Sequence, residues 1–321
     1  MRSRLFRIGQ KWVESGTFTW PLAPFSWIWA LASKVRNRLY DLKRLPIARV
    51  AKVVVSVGNL VAGGTGKTPF VLFLAQRFSH RKVAILSRGY GDFPDEPALL
   101  ANRLPGVSIY VGADRIESAR KAVADGAELL LLDDGFQHRK LHRDFDIVLL
   151  DGDDPFGKGH YLPWGFLRDS PKRLAQADAV FVQGVHFKLA VKRILSLDGA
   201  EIPSLDGERL GMFCGIAKPA RFKKNVAETG GEIVSEWILA DHEVPDEKRL
   251  GRFACHCKSL GAKALICTEK DRVKLSPRTP LDLPIFFLEM ELKAIEKGKN
   301  DGFWEKLIVK IDQKIDNSTT L

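Results

Sequence analysis

The stretch that decides the fold reads Val53-Val54-Val55-Ser56-Val57-Gly58-Asn59-Leu60-Val61-Ala62-Gly63-Gly64-Thr65-Gly66-Lys67-Thr68-Pro69, with a helical pattern following over 70–78. An apolar run, a glycine-rich turn and a helix, in that order, are what a phosphate-binding loop requires. Glycines let consecutive backbone N–H groups converge on phosphate oxygens, and the helix N-terminus adds the positive end of its dipole. In that frame Gly63, Gly64, Thr65, Gly66, Lys67 and Thr68 form a nucleotide cradle. Lys67 reaches the β- and γ-phosphates, and the Thr68 hydroxyl is a magnesium ligand. The loop is a variant: strict GxxxxGK[ST] spacing calls for glycine at 61, where this chain has Val61.

Working outward, Leu129-Leu130-Leu131-Leu132-Asp133-Asp134 supplies a second buried strand ending in two carboxylates. Acids at the carboxyl edge of such a strand sit where open α/β sheets keep their ligand crevice, so Asp133 and Asp134 are candidate metal residues. Adjacent residues on an extended strand face opposite ways, so one would serve the metal while the other orients a neighbour. Further apolar runs at 83–86, 147–150 and 179–182 complete a parallel set. Weaker candidates follow at 210–214, 232–239, 264–268 and 284–288. The expected fold is therefore α/β: a P-loop NTPase-type doubly wound parallel sheet, a smaller C-terminal α/β domain and an N-terminal membrane-associated helix. The boundaries drawn are 1–50, 51–205 and 206–321, and the tail after Lys310 reads as frayed and polar.

Composition narrows the partners. The net charge of +11 is concentrated: residues 1–52 hold eleven Lys or Arg against Glu14 and Asp41, a net of +9, leaving +2 elsewhere. A basic arm of this kind argues against a nucleic-acid groove spread over the fold and for a local anionic surface. Trp20, Phe25, Trp27, Ile28, Trp29 and Leu31 lie between its basic flanks. The apolar stretch from 20 to 32 falls short of the roughly 20 residues that span a bilayer, so it is expected to lie in the membrane interface. The alternative is a helix that packs its Trp face on the protein's own body. Four cysteines confined to the last third, with no cleavable leader, predict reduced thiols. The Cys255-His256-Cys257 run lacks the spacing of a zinc site.

A phosphoryl acceptor also needs a proton acceptor nearby. The loop after the second strand, Ser87-Arg88-Gly89-Tyr90-Gly91-Asp92-Phe93-Pro94-Asp95-Glu96-Pro97, offers one, but periodicity does not choose among Asp92, Asp95 and Glu96.

Taken together, GNLVAGGTGKTP, SRGYG with DEP, VGADR, LLDDGFQH, DGDDPFGKGHYLPWGFLRD, GIAKP, DH and TEKD resemble the tetraacyldisaccharide 4'-kinase family over about Val55 to Lys274. The resemblance implies a kinase on the cytoplasmic face of the bacterial inner membrane, peripheral or monotopic. It implies ATP and Mg2+, a lipid disaccharide-1-phosphate acceptor, no nucleic acid and no obligate protein partner. By motif, Lys67 and Thr68 take the phosphate and magnesium roles, Asp133 and Asp134 are the metal pair, and Asp95 is similar to the family's catalytic base, assisted by His242. If they are partners, closure of the C-terminal domain is expected to carry His242 to Asp95. Arg88, Gln137, His138 and Arg168 lie in motifs and are candidate acceptor contacts, although Gln137 and His138 read equally as cap residues. Arginine suits a phosphate because its fork makes two charge-assisted bonds. Three positions depart from the family's usual residues: Val61 for Thr, Asp169 for Glu, and Glu243 for a second His. Thr268-Glu269-Lys270-Asp271 lacks the order of an [NT]KxD guanine reader and is taken as a structural motif.

Overall fold

The computed structural model describes residues 20–89, 95–241, 243–275, 281–295 and 302–319. The chain divides into two compact units, the first made of Met1–Arg88, Leu104–Lys188 and Ala294–Leu321, the second of Gly89–Arg103 and Leu189–Lys293.

In the first unit, strands β1 (Val53–Asn59), β2 (Val83–Ser87), β3 (Ser108–Val111), β4 (Leu129–Asp133), β5 (Phe145–Asp151) and β6 (Ala179–Gln183) pair in the order β6-β5-β1-β4-β2-β3. All these pairings are parallel. β1, β2 and β4 are buried along their whole length, which is why they read as continuous apolar runs. The register sets Val57 beside Asp133, so the last apolar residue before the glycine loop lies next to the first metal candidate. The P-loop helix (Lys67–Arg77) buries Phe70, Val71, Leu72 and Leu74. Phe70 packs against Phe181, Phe187 and Trp304.

Two helices near the chain ends lie on this unit. The C-terminal helix (Phe303–Thr319) buries Trp304, Leu307, Ile311 and Ile315, three to four residues apart. The stretch after Lys310 is therefore not frayed: charged residues around Ile311 and Ile315 mask an ordinary amphipathic stripe. The N-terminal helix (Ala23–Asp41) does the reverse. Its buried residues are Ser26, Ser33, Asn37 and Tyr40. At 100° per residue, Ile28, Leu31, Val35 and Leu39 fall on roughly the opposite face, and all are exposed. Trp20 and Trp27 are 62% and 68% exposed, whereas the Trp29 indole N–H donates to the Arg168 carbonyl at 3.2 Å.

In the second unit, β9 (Arg209–Cys214), β10 (Glu232–Ile238), β11 (Ala264–Thr268) and β12 (Ile285–Ala294) join in the order β10-β9-β11-β12. Beside β12 runs β7 (Phe187–Ser196), which pairs antiparallel with the short β8 (Glu201–Ile202). β7 was absent from the sequence reading because Lys188, Lys192 and Arg193 interrupt its apolar pattern. The helix Asp95–Arg103 also belongs here: Arg103 binds Glu269 at 2.9 Å and Glu289 at 3.4 Å. The chain thus passes between the units after residues 88, 103, 188 and 293, whereas the sequence reading draws a single boundary between these domains at 205. That reading followed chain order, and a contact between residues 103 and 269 leaves no local signal.

Candidate active site

The glycine loop turns where only glycine fits easily. Gly66, with φ of 83°, is the N-cap of the P-loop helix and aims its first free N–H groups into the loop. A Cβ on Gly58, still within β1, would lie 2.5 Å from Phe136 Cβ, so the close approach of Phe136 to the strand requires glycine here. Asn59 ties the loop together, its Nδ2 donating to Thr65 Oγ1 at 2.8 Å. Gln137 Nε2 donates to the Asn59 carbonyl at 2.7 Å. Val61 is buried beside Leu60, Phe136 and Leu167. It fills a core position where the stricter motif has glycine.

Asp134 is the electrostatic centre. It follows the last residue of β4 with φ of 51°, a left-handed conformation uncommon for a side chain with a Cβ. Arg168 grips it with both arms, NH1 to Oδ2 at 2.8 Å and NH2 to Oδ1 at 2.6 Å. Lys67 Nζ stands 3.6 Å from Oδ1, and Arg115 NH1 donates to the Asp134 carbonyl at 3.0 Å. Burial by itself would raise this carboxyl's pKa, but Lys67, Arg168 and Arg115 hold it well below the usual carboxylate range. Asp133 is buried at the adjoining strand end, and Thr68 is buried in the first turn of the helix.

Lys67, Asp133, Asp134 and the glycine cradle thus belong to one unit and one sheet edge. Arg88 is exposed just past the end of β2. Among the candidate acceptor contacts, Arg168 is held by Asp134 and Asn59, and Gln137 supports the loop strand. Burial, then Arg115, lowers the His138 pKa to about 4, so the imidazole is neutral at physiological pH. Asp95 lies in the second unit as the buried first residue of its helix. His242 lies outside the described residues, but its neighbours Asp241 and Glu243 lie in the same unit as Asp95.

Three supporting residues carry no expectation from the sequence: Asn59, Arg115 and Lys274. The first two sit inside the quoted motifs, but a motif does not tell which way a side chain points. Asp169 accepts from Asn37 Nδ2 at 2.7 Å and Ser33 Oγ at 3.3 Å, and it pairs with Arg173. Shorter than the family's glutamate, it still reaches its partners and fastens the N-terminal helix.

The family model for tetraacyldisaccharide-1-P 4'-kinase, LpxK, matches residues 18–311. The tetraacyldisaccharide 4'-kinase of Syntrophus aciditrophicus is 35% identical, covering 88% of this chain and 91% of its own. That of Anaeromyxobacter dehalogenans is 38% identical over 77% of this chain and 78% of its own. A crystal structure of LpxK from Aquifex aeolicus in complex with ATP superimposes with a TM-score of 0.72 at 30% identity, covering 92% of this chain and 99% of that one.

Proposed function

Because the chain belongs to the tetraacyldisaccharide-1-P 4'-kinase family, we propose that it moves the γ-phosphate of ATP to the 4'-hydroxyl of a tetraacyldisaccharide 1-phosphate lipid through the residues described above. The observation that carries the assignment of roles is the Lys67–Asp134–Arg168 cluster at the mouth of the glycine loop. Two of its three groups are cations, held in place before any nucleotide arrives. Backbone N–H groups of 63–68 receive the β- and γ-phosphates, and Lys67 exchanges its ion pair with Asp134 for phosphate oxygens. The oxygen donors of Thr68, Asp133 and Asp134 suit magnesium, which keeps several waters and takes only one or two carboxylates from protein. Bound there, the ion would neutralise charge on the bridging phosphate oxygens.

Asp95 is the proton acceptor. As the acceptor oxygen forms its bond to γ-phosphorus, the bond to the β-bridging oxygen breaks, ADP departs and the hydroxyl proton passes to the Asp95 carboxylate. His242 is its partner in orientation, a role supported by Asp241 and Glu243 lying in the same unit as Asp95. Arg88, Gln137, His138 and Arg168 remain the acceptor-side group, Arg168 and Arg88 as phosphate-seeking cations and the other two as supports of the loop.

The protein works at the membrane surface on the cytoplasmic side. No helix among the described residues is long and apolar enough to cross a membrane. The outward apolar face of the N-terminal helix, flanked by Lys34, Arg36 and Arg38, has the chemistry of an interfacial anchor on anionic lipid.

The test is transfer of labelled γ-phosphate from MgATP to a purified tetraacyldisaccharide 1-phosphate in detergent micelles. Labelled lipid from the wild type, absent with Lys67→Ala, is the expected result. Hydrolysis of ATP without lipid product would instead favour a nucleotide switch or a soluble acceptor.

A further inference from the structure

The segment following β11 carries a buried lysine that the roles above do not use. Lys274 Nζ lies 3.4 Å from Asp95 Oδ2 and 3.1 Å from Asp271 Oδ1, with the side chains of Lys274 and Asp271 fully buried. It also reaches the Glu243 carbonyl at 3.4 Å. Asp271 accepts from the Gly215 N–H through both oxygens at 3.1 Å and from Thr268 Oγ1 at 2.6 Å. One turn earlier, Lys270 pairs with Glu96. All these residues lie in the second unit.

We propose that Lys274 is the positioning residue of the Asp95 carboxylate, holding it ionised and in one rotamer, with Asp271 as the fixed counter-anion that anchors the lysine. The proposal rests on the reading of Asp95 as proton acceptor. A buried carboxylate alone would favour its protonated form and could not accept a proton at neutral pH. An ammonium beside it restores the ionised form, and its location decides which oxygen stays available. The second carboxylate matters once Asp95 has taken the proton. Lys274 then keeps an ionic partner in Asp271, so protonation of Asp95 does not strand a buried cation. Among the described residues, the charged groups around this site include Glu96 on the helix of Asp95, Lys270, Asp271 and Lys274 on the 264–275 segment, and Asp241 and Glu243 on the loop after β10. Lys270 illustrates the local field: burial opposes its charge, yet Glu96, Asp95 and Asp241 raise its pKa above the ordinary lysine value.

The test is the pH profile of kcat/KM for lipid phosphorylation, which reports the base of the free enzyme. Lys274→Met is compared with the charge-matched pair Lys274→Met with Asp271→Asn, with Lys274→Arg, and with Asp95→Asn. Melting temperature and nucleotide affinity are followed for each. The expected result is an acidic limb displaced upward by about one pH unit or more in the folded Met variants, about tenfold less activity on that limb. Lys274→Arg should restore it, and Asp95→Asn should abolish transfer. A folded Met variant with the limb in its wild-type place, beside an inactive Asp95→Asn, overturns the role of Lys274 and leaves Asp95 as base. An active Asp95→Asn overturns the reading of Asp95 itself. Failure of every Lys274 variant to fold assigns the lysine to stability and overturns the proposal.

Discussion

The helices near the two ends of the chain rest on the same unit with opposite faces inward. The C-terminal helix turns Trp304, Leu307, Ile311 and Ile315 to the body. The N-terminal helix turns Ser26, Ser33, Asn37 and Tyr40 inward and leaves Ile28, Leu31, Val35 and Leu39 outside. The first is held by the hydrophobic effect, which needs area and no particular partner. The second is held by directed contacts: Ser26 Oγ to the Tyr161 carbonyl at 2.7 Å, Asn37 to Asp169, and Arg139 to the Asn37 carbonyl at 3.1 Å and to Asp41 at 2.8 Å. A helix docked by hydrogen bonds leaves its apolar face exposed.

The largest effect should follow from cutting the polar dock. Asp169→Ala leaves the buried Arg173 guanidinium without its carboxylate and removes the acceptor of Asn37 and Ser33, and it is expected to cost about 4 kcal/mol in urea unfolding. Faster proteolysis within the N-terminal helix should accompany it, whereas an unchanged midpoint would mean that the helix is held some other way. Next comes Ile311→Ala in the apolar dock, with an expected loss of about 3 kcal/mol and no change in the lipid KM of the folded enzyme.

The contrast sharpens with a triple change on the outward face, Trp27→Ser, Ile28→Ser and Leu31→Ser. Stability should move by less than about 1 kcal/mol, while partition onto anionic vesicles falls about thirtyfold. Vesicle binding that survives would place the membrane contact elsewhere. The smallest effect concerns His138, which precedes Arg139 under the N-terminal helix. With its folded pKa lowered to about 4, it contributes stability that is fully present above the unfolded value near 6.5 and is lost as pH falls toward 4. His138→Gln should flatten the unfolding free energy between those limits by roughly 1 kcal/mol, the linkage being discounted for the solvent that reaches this partly buried ring, read from denaturation at stepped pH.

The phosphate side of the molecule was legible because its determinants are local. A strand, a glycine loop and a helix N-terminus are consecutive residues, and four leucines before Asp133 declare a buried strand edge. The Asp95 side was legible only by resemblance. Its setting is assembled from Glu96, Lys270 and Lys274, and pairings across some 175 residues leave no periodic trace. The N-terminal helix lay between these cases: composition gave its basic flanks and its tryptophans. Which face turned inward depended on Asp169 and Arg139, whose directions no pattern specifies.

The interleaving of the two units in the chain bears on how the protein is made. Residues 95–103 leave the ribosome early but have their partners at 189–293, and the first unit is not complete until 302–319 follow. At about 5–20 residues per second, translation keeps that early helix waiting for on the order of ten seconds or more, and the P-loop unit without its Trp304 seal for longer. The first unit cannot finish on the nascent chain before the second has been synthesised, so a ribosome stalled just short of residue 302 would display the first unit as an open, apolar fragment.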